Sequence, residues 1–180
     1  MASSRLRLYR IDARYVQELQ NVDRNVMSTS PSEGKENRPF VGVVIPHGES
    51  RYCIPLSSPK PKHRHMKADR DFSKIEDRNG KLIGVLNFNN MIPVCDSALV
   101  DLDLTVRKGD SESTRAYKEL MRDQLTWCNA NRELIARKAN KLYRIVVHNP
   151  TSARGLVKRC CDFKQLEQVR DRWASAKKGN

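Results

Sequence analysis

Apolar residues change their spacing a little past the middle of this chain. The change divides a strand-rich first part from a helical second part. Over 5–11, Leu6 and Leu8 alternate with Arg5, Arg7 and Arg10, the period-two pattern of a half-buried strand. Asp12 then stands where a carboxylate caps a helix, with Ile11 and Val16 placed as a hydrophobic staple, so a short helix is predicted to about Leu19. Residues 28–37 hold only Ser, Thr, Pro, Glu, Gly, Lys and Asn and predict a loop. Pro39-Phe40-Val41-Gly42-Val43-Val44-Ile45-Pro46, a polar turn over 47–50 and Arg51-Tyr52-Cys53-Ile54 predict a β-hairpin. Its first strand is apolar throughout, which predicts a central strand covered on both faces. After an Asn79-Gly80 turn comes the apolar run Leu82-Ile83-Gly84-Val85-Leu86-Asn87-Phe88. Met91-Ile92-Pro93-Val94 extends it or pairs with it, and the stretch 99–104 alternates again.

Five or six strands in the first 105 residues, at the spacing of a meander, predict a compact, strongly curved, mainly antiparallel sheet or partial barrel. From Ser113 the period becomes helical. Tyr117, Leu120, Met121, Gln124, Leu125 and Cys128 fall on one face, and so do Leu134, Ile135, Leu142 and Ile145. This predicts one long helix or two, with Asn129-Ala130-Asn131 as the interruption and Asn149-Pro150 as the stop. Asp162 and Gln165 form a capping-box-like start for a last helix carrying Phe163, Leu166, Val169 and Trp173. The fold class is therefore α+β, as a single domain over 1–180 with helices packed around the sheet.

Charge narrows the partner. The 180 residues carry 34 Lys and Arg against 21 Asp and Glu, a net charge of +13 with His neutral, and a folded protein that basic commonly meets a polyanion. The excess recurs over 60–67, over 115–144 and in the last 30 residues, which argues for a basic surface on a folded body rather than a basic tail. No apolar run approaches the ~18 residues of a membrane span. Met1-Ala2-Ser3-Ser4 leads into alternating Arg and Leu, unlike a signal peptide. The five cysteines are odd in number and scattered, which fits a reduced cytoplasm. His63-x-His65 is the nearest thing to a metal pair, but no Cys or spaced His completes a set and lysines surround it. Neither a metal nor any other cofactor is expected.

The densest chemistry lies in Pro55-Leu56-Ser57-Ser58-Pro59-Lys60-Pro61-Lys62-His63-Arg64-His65, where a strand end gives way to a loop. It offers the hydroxyls of Ser57 and Ser58, the imidazoles of His63 and His65, and the cations Lys60, Lys62, Arg64 and, just beyond, Lys67. Pro59 and Pro61 push Ser58 and Lys60 toward extended backbone. A hydroxyl, an ammonium and a near-neutral imidazole are the parts needed to act on a phosphodiester. The same composition also suits a phosphate clamp without chemistry, and from the residues alone a non-catalytic RNA-binding protein is the favoured reading. A DNA-binding regulator fits poorly, since no helix-turn-helix pair stands out.

Four stretches, in order, resemble the ToxN/AbiQ family of type III toxin–antitoxin toxins. Arg38-Pro39-Phe40-Val41-Gly42-Val43-Val44 resembles the family's first hairpin strand. Pro55-Leu56-Ser57-Ser58-Pro59-Lys60, continuing to His63, resembles its P-L-(T/S)-S-P-K-x-x-H stretch. Gly84-Val85-Leu86-Asn87-Phe88-Asn89-Asn90-Met91-Ile92-Pro93-Val94 resembles its G-x-(L/I)-N-x-x-x-M-I-P motif, and Cys161-Asp162-Phe163-Lys164-Gln165-Leu166-Glu167 its C-terminal helix start. The resemblance implies a MazF/Kid-like sheet with helices and a sequence-specific endoribonuclease that cuts mRNA without a metal. Its products would be a 2′,3′-cyclic phosphate and a 5′-hydroxyl.

The resemblance also implies inhibition by a repeated, pseudoknotted antitoxin RNA in a closed protein–RNA oligomer. The biological role would be growth arrest, locus maintenance or abortive infection by phage. Its catalytic Ser falls on Ser58, the preceding hydroxyl on Ser57 and its Lys on Lys60, while Arg38 falls where some members carry a Lys in the RNA groove. An aromatic that some members carry in the preceding loop has no counterpart over 28–37. On chemical grounds His63 is the candidate for acid–base duty, or else a phosphate contact. Lys62, Arg64, Lys67, Arg154, Lys158 and Arg159 are candidate phosphate contacts, the last three for a longer antitoxin track.

Overall fold

Asp12 caps the first helix as its position predicts. In the computed structural model, which describes residues 5–27 and 41–178, its Oδ1 accepts from the amides of Arg14 at 2.8 Å and Tyr15 at 3.1 Å. The helix so started, α1 (Ala13–Val22), runs past Leu19 and buries Tyr15, Val16 and Leu19. It follows β1 (Leu8–Ile11). The hairpin is formed by β2 (Val41–His47) and β3 (Ser50–Ser57), whose turn uses Gly48 at φ 56°, left-handed backbone that suits glycine. Arg38 and the loop over 28–37 lie outside the described residues.

Beyond the hairpin come α2 (Pro61–His65), β4 (Phe72–Glu76), β5 (Leu82–Asn87), β6 (Ile92–Val94) and β7 (Leu99–Asp101). Alternation over 99–104 predicts a longer strand than β7 provides. β4 is not apparent in the sequence, because Phe72-Ser73-Lys74-Ile75-Glu76 sits between charged residues and is too short for its period to stand out.

The described residues form a seven-stranded antiparallel sheet in the order β4-β5-β3-β2-β1-β7, with β6 also on β3. One edge of β3 changes neighbour along its length. Arg51, Tyr52 and Cys53 pair with β6, whereas Leu56 and Ser57 pair with Leu86 and Val85 of β5. This corrects the expectation of a strongly curved sheet or MazF/Kid-like partial barrel. Closure requires the edge strands to meet, but β4, of five residues, and β7, of three, end opposite sides of the strand order with no ladder between them. The sheet is open, and helices cover it instead.

The helical part is two helices, α3 (Glu112–Ala130) and α4 (Arg132–His148), broken at Asn131. A short helix, α5 (Arg154–Arg159), which the sequence pattern does not reveal, precedes α6 (Phe163–Lys178). The Asp162 carboxylate caps α6 by accepting from the Gln165 amide at 3.1 Å. α3 packs on β4 and β5, α4 on β2 and on the 3-10 turn at Phe88–Asn90, and α6 on β6 and α1. Ile83, Gly84, Val85 and Leu86 are buried in succession, so both faces of the sheet are covered at β5. Among the described residues no helix is long and apolar enough to cross a membrane.

Candidate active site

Strand β3 does not stop at Ile54. It continues through Pro55 and Leu56 to Ser57, so the first hydroxyl is held by a ladder rather than presented on a loop. The Ser57 Oγ accepts from the Asn87 Nδ2 at 2.8 Å, a diagonal contact from β5. With one lone pair engaged this way, the Ser57 O–H is left to donate to another acceptor. Sequence reasoning gives Asn87 no role of its own; a polar residue closing an apolar run is the signal that could have found it.

Its neighbours Asn89 and Asn90 tie other segments to the same turn. Asn89 donates to the Arg159 carbonyl at 3.2 Å, and Asn90 to the Asn25 carbonyl at 2.7 Å. Asn25 in turn donates to the Cys160 carbonyl at 2.8 Å. Together Asn87, Asn89 and Asn90 lock the end of β3, the end of α5 and the chain leaving α1 around one point.

Only residues 58–60 separate β3 from α2, in place of the open basic loop expected from the sequence. Pro61 occupies the first helical position, where its fixed φ suits a helix and no amide partner is forfeited. Lys60 is the N-cap, at φ −107° and ψ 158°, the extended backbone that the following proline favours. The far end of this five-residue helix is fastened by Lys74 of β4, whose Nζ donates to the Arg64 carbonyl at 3.0 Å. Ser58, Lys60, Lys62, Arg64, His65 and Lys67 are exposed around it. Among the described residues none of these cations is in an ion pair. A Ser–Lys edge of this kind presents unneutralised donors to an incoming phosphate.

His63 is placed differently from its neighbours. It is 6% exposed, its ring lies 5.2 Å from that of Phe72, and its Nδ1 accepts the Lys60 amide proton at 2.9 Å. Burial first, then the positive charges of Lys62, Lys60 and Lys74, hold its pKa below the usual imidazole value. Behind Phe72, the Lys138 Nζ of α4 donates to the Phe72 carbonyl and to the Ser73 Oγ, each at 2.7 Å.

Arg159 reaches the same strand start, where its Nε donates to the Asp71 Oδ2 at 2.6 Å. Of the three residues expected on an antitoxin track, Arg159 is therefore paired, while Arg154 and Lys158 are exposed on α5. The basic excess expected over 115–144 includes an exposed stripe whose residues the sequence reading does not single out. Arg137, Lys141 and Arg144 lie on one side of α4 at i, i+4 and i+7, a spacing legible once α4 is set in register. Among the described residues no group of three His, Cys, Asp or Glu side chains gathers as a metal ligand set.

The chain that carries this Ser-Ser-Pro-Lys turn is similar to known proteins over nearly its whole length. The family model for toxin ToxN of type III toxin–antitoxin systems matches residues 7–171. Endoribonuclease ToxN of Pectobacterium atrosepticum is 27% identical over 166 residues, 91% of each chain. A solved structure of AbiQ, a lactococcal anti-phage endoribonuclease of the type III class, matches 96% of this chain and 99% of its own at a TM-score of 0.77 and 25% identity. Another, from a type III system in which a non-coding RNA pseudoknot selectively inhibits the toxin, matches 95% and 99% at a TM-score of 0.75 and 25% identity. The chain belongs to the ToxN family, the endoribonuclease toxins of type III toxin–antitoxin systems.

Proposed function

We propose that this protein, acting as one domain over 1–180, cleaves mRNA at the Ser57–Lys60 edge without a metal and is held inactive by a folded antitoxin RNA. The observation that supports the reading best is the bracing of that edge. Ser57 is oriented by Asn87 and the Lys60 backbone by His63, while the Ser58 hydroxyl and the Lys60 ammonium remain exposed. RNA supplies the nucleophile. The 2′-oxygen bonds to phosphorus as the bond to the 5′-oxygen breaks; one proton leaves the 2′-hydroxyl and one reaches the departing 5′-oxygen. A 2′,3′-cyclic phosphate and a 5′-hydroxyl result.

Negative charge grows on the phosphorane oxygens during this step, and an ammonium carried on a braced backbone acts on that charge more than on the ground state. Lys60 takes this role. Ser58 donates to a non-bridging or leaving oxygen and Ser57 assists, while Lys62, Arg64, Lys67 and Arg38 hold flanking phosphates. The setting is cytoplasmic, and the outcome is growth arrest that serves locus maintenance or defence against phage.

Cleavage of a mixed mRNA pool by the purified protein persists in excess EDTA, because no side-chain set for a divalent cation accompanies the Ser–Lys edge among the described residues. Loss of cleavage that returns with magnesium would replace this chemistry with a metal-assisted one. Binding without cleavage would favour the non-catalytic RNA-binding reading.

The antitoxin spans more phosphates than a scissile bond needs, and toxin and RNA close into a ring of several copies. Exposed Arg154 and Lys158 on α5, with Arg137, Lys141 and Arg144 on α4, form its track. Arg154→Glu with Lys158→Glu weakens binding of the copurifying RNA and leaves cleavage of a short single strand within about threefold. The slope of log affinity against log salt becomes shallower for each phosphate that is no longer neutralised, by about 0.7 where the contacted RNA is single-stranded. Equal losses for both RNAs would place antitoxin and substrate in one groove with no separate track. Arg159→Glu is a different perturbation, since it sets a carboxylate against Asp71.

A further inference from the structure

Capping boxes place Glu or Gln at the third helical position, where the side chain reaches back to the amide of the N-cap. In α2 that position holds His63, and the N-cap is Lys60. The two residues are joined twice: the Lys60 amide donates to the His63 Nδ1 at 2.9 Å, and the His63 amide donates to the Lys60 carbonyl, also at 2.9 Å. The imidazole is buried against Phe72, so it braces the Lys60 backbone from inside the protein while the Lys60 ammonium stands in solvent.

We propose that His63 is a positioning residue for Lys60, acting only as a neutral imidazole, so that the toxin cleaves at neutral pH and is switched off by acid. The proposal rests on the ribonuclease reading above. Accepting a proton at Nδ1 requires a free lone pair there, which places the neutral ring's own proton on Nε2. An imidazolium carries protons on both nitrogens and has nothing to offer the Lys60 amide. Protonation thus breaks the cap and releases the backbone that aims the ammonium.

The same contact argues against acid–base duty, since Nδ1 is already engaged and the ring is buried rather than turned to the RNA edge. The charged groups facing the ring are Lys60 from the loop, Lys62 from α2 and Lys74 from β4, all cationic. Together with burial they favour the neutral form in the folded protein. The folded ring therefore titrates below the unfolded one. Its contribution to stability is complete above the ordinary imidazole pKa and is lost as pH falls through the lower, folded value.

His63→Gln decides the matter, because glutamine restores an acceptor at the third helical position but transfers no proton near neutrality. In single-turnover cleavage of a mixed mRNA pool, His63→Gln retains the wild-type rate within about threefold at pH 7.5 and lacks the acid limb. His63→Leu, which keeps bulk and removes the acceptor, loses tenfold or more while melting cooperatively. A loss by His63→Gln as deep as that of His63→Leu would return His63 to acid–base duty and overturn the proposal.

A second readout needs no activity. In ¹⁵N-labelled wild-type protein the Lys60 amide proton shifts through the imidazole titration, and in His63→Gln it does not. A Lys60 amide insensitive to that titration would remove the hydrogen bond and the proposal with it. Failure of wild-type protein to cut RNA, with the amide still titrating, would instead sink the ribonuclease reading and leave the brace standing.

Discussion

Lys60→Ala abolishes growth arrest and lowers RNA cleavage on the order of a hundred- to a thousandfold, the usual cost of removing one preorganised donor from a developing oxyanion. The melting temperature stays within about 2 °C of wild type. The side chain is exposed and in no ion pair among the described residues, so folding does not depend on it. Its backbone amide, which braces α2 through His63, is unchanged by the substitution. Ser58→Ala behaves similarly, because that hydroxyl is also exposed. Plating cells that express each variant without antitoxin RNA gives the coarse result, and single-turnover cleavage gives the magnitude. Normal killing by Lys60→Ala would remove this lysine from the chemistry.

The largest effect on stability lies at the other end of β3. Glu167 of α6 accepts through Oε1 from the phenols of Tyr52 and Tyr143, each at 2.8 Å, and through Oε2 from Lys164 at 2.6 Å. Tyr52 is fully buried, and the Tyr143 and Phe163 rings stack with centroids 5.7 Å apart beside it. The carboxylate therefore clamps β3, α4 and α6 in one place. Glu167→Ala leaves two phenolic donors unpaired and costs about 2–4 kcal/mol, or roughly 5–12 °C in melting temperature for a chain of this length.

Burial alone would raise the Glu167 pKa, but the hydrogen bonds from Lys164, Tyr52 and Tyr143 outweigh it and hold it below the usual carboxylate value. The folded value is the lower one, so this stability is complete above the ordinary glutamate pKa of about 4.3 and is lost as pH falls from there through the lower, folded value. At 20 °C the folded variant should cut RNA at the wild-type rate, because Tyr52 and Ser57 are about 16 Å apart along the strand. Thermal melts at pH 7.5 and pH 4 check the first claim. A variant that melts like wild type at both would show that the clamp contributes nothing.

Elements whose cause is local were legible in the chain. Asp12 and Asp162 cap helices where they stand, because a cap needs only one oxygen and the amides two or three residues on. The break at Asn131 and the stop at Asn149-Pro150 were legible for the same reason. β4, α2 and α5 were not, being short and interleaved with charged residues that hide any apolar period. The site was half legible. The residue types over 57–63 suggested phosphodiester chemistry, and the family resemblance placed them, yet neither suggested that Asn87 orients Ser57.

For this protein the sequence by itself determined the passage from a strand-rich first part to a helical second part, the basic charge and the composition of the Ser57–Lys60 edge, since each depends on neighbours within a few residues. Tertiary structure decided what depends on distant partners meeting. It left the sheet open, because β4 and β7 have no ladder between them. It also paired Arg159 with Asp71, 88 positions away, while Arg154 and Lys158 stayed exposed. And it turned His63 inward onto Phe72. A histidine three residues after a lysine has the same letters whether it faces RNA or caps a helix; only the wall built by β4 makes burial, and hence neutrality, the lower-energy state of its ring.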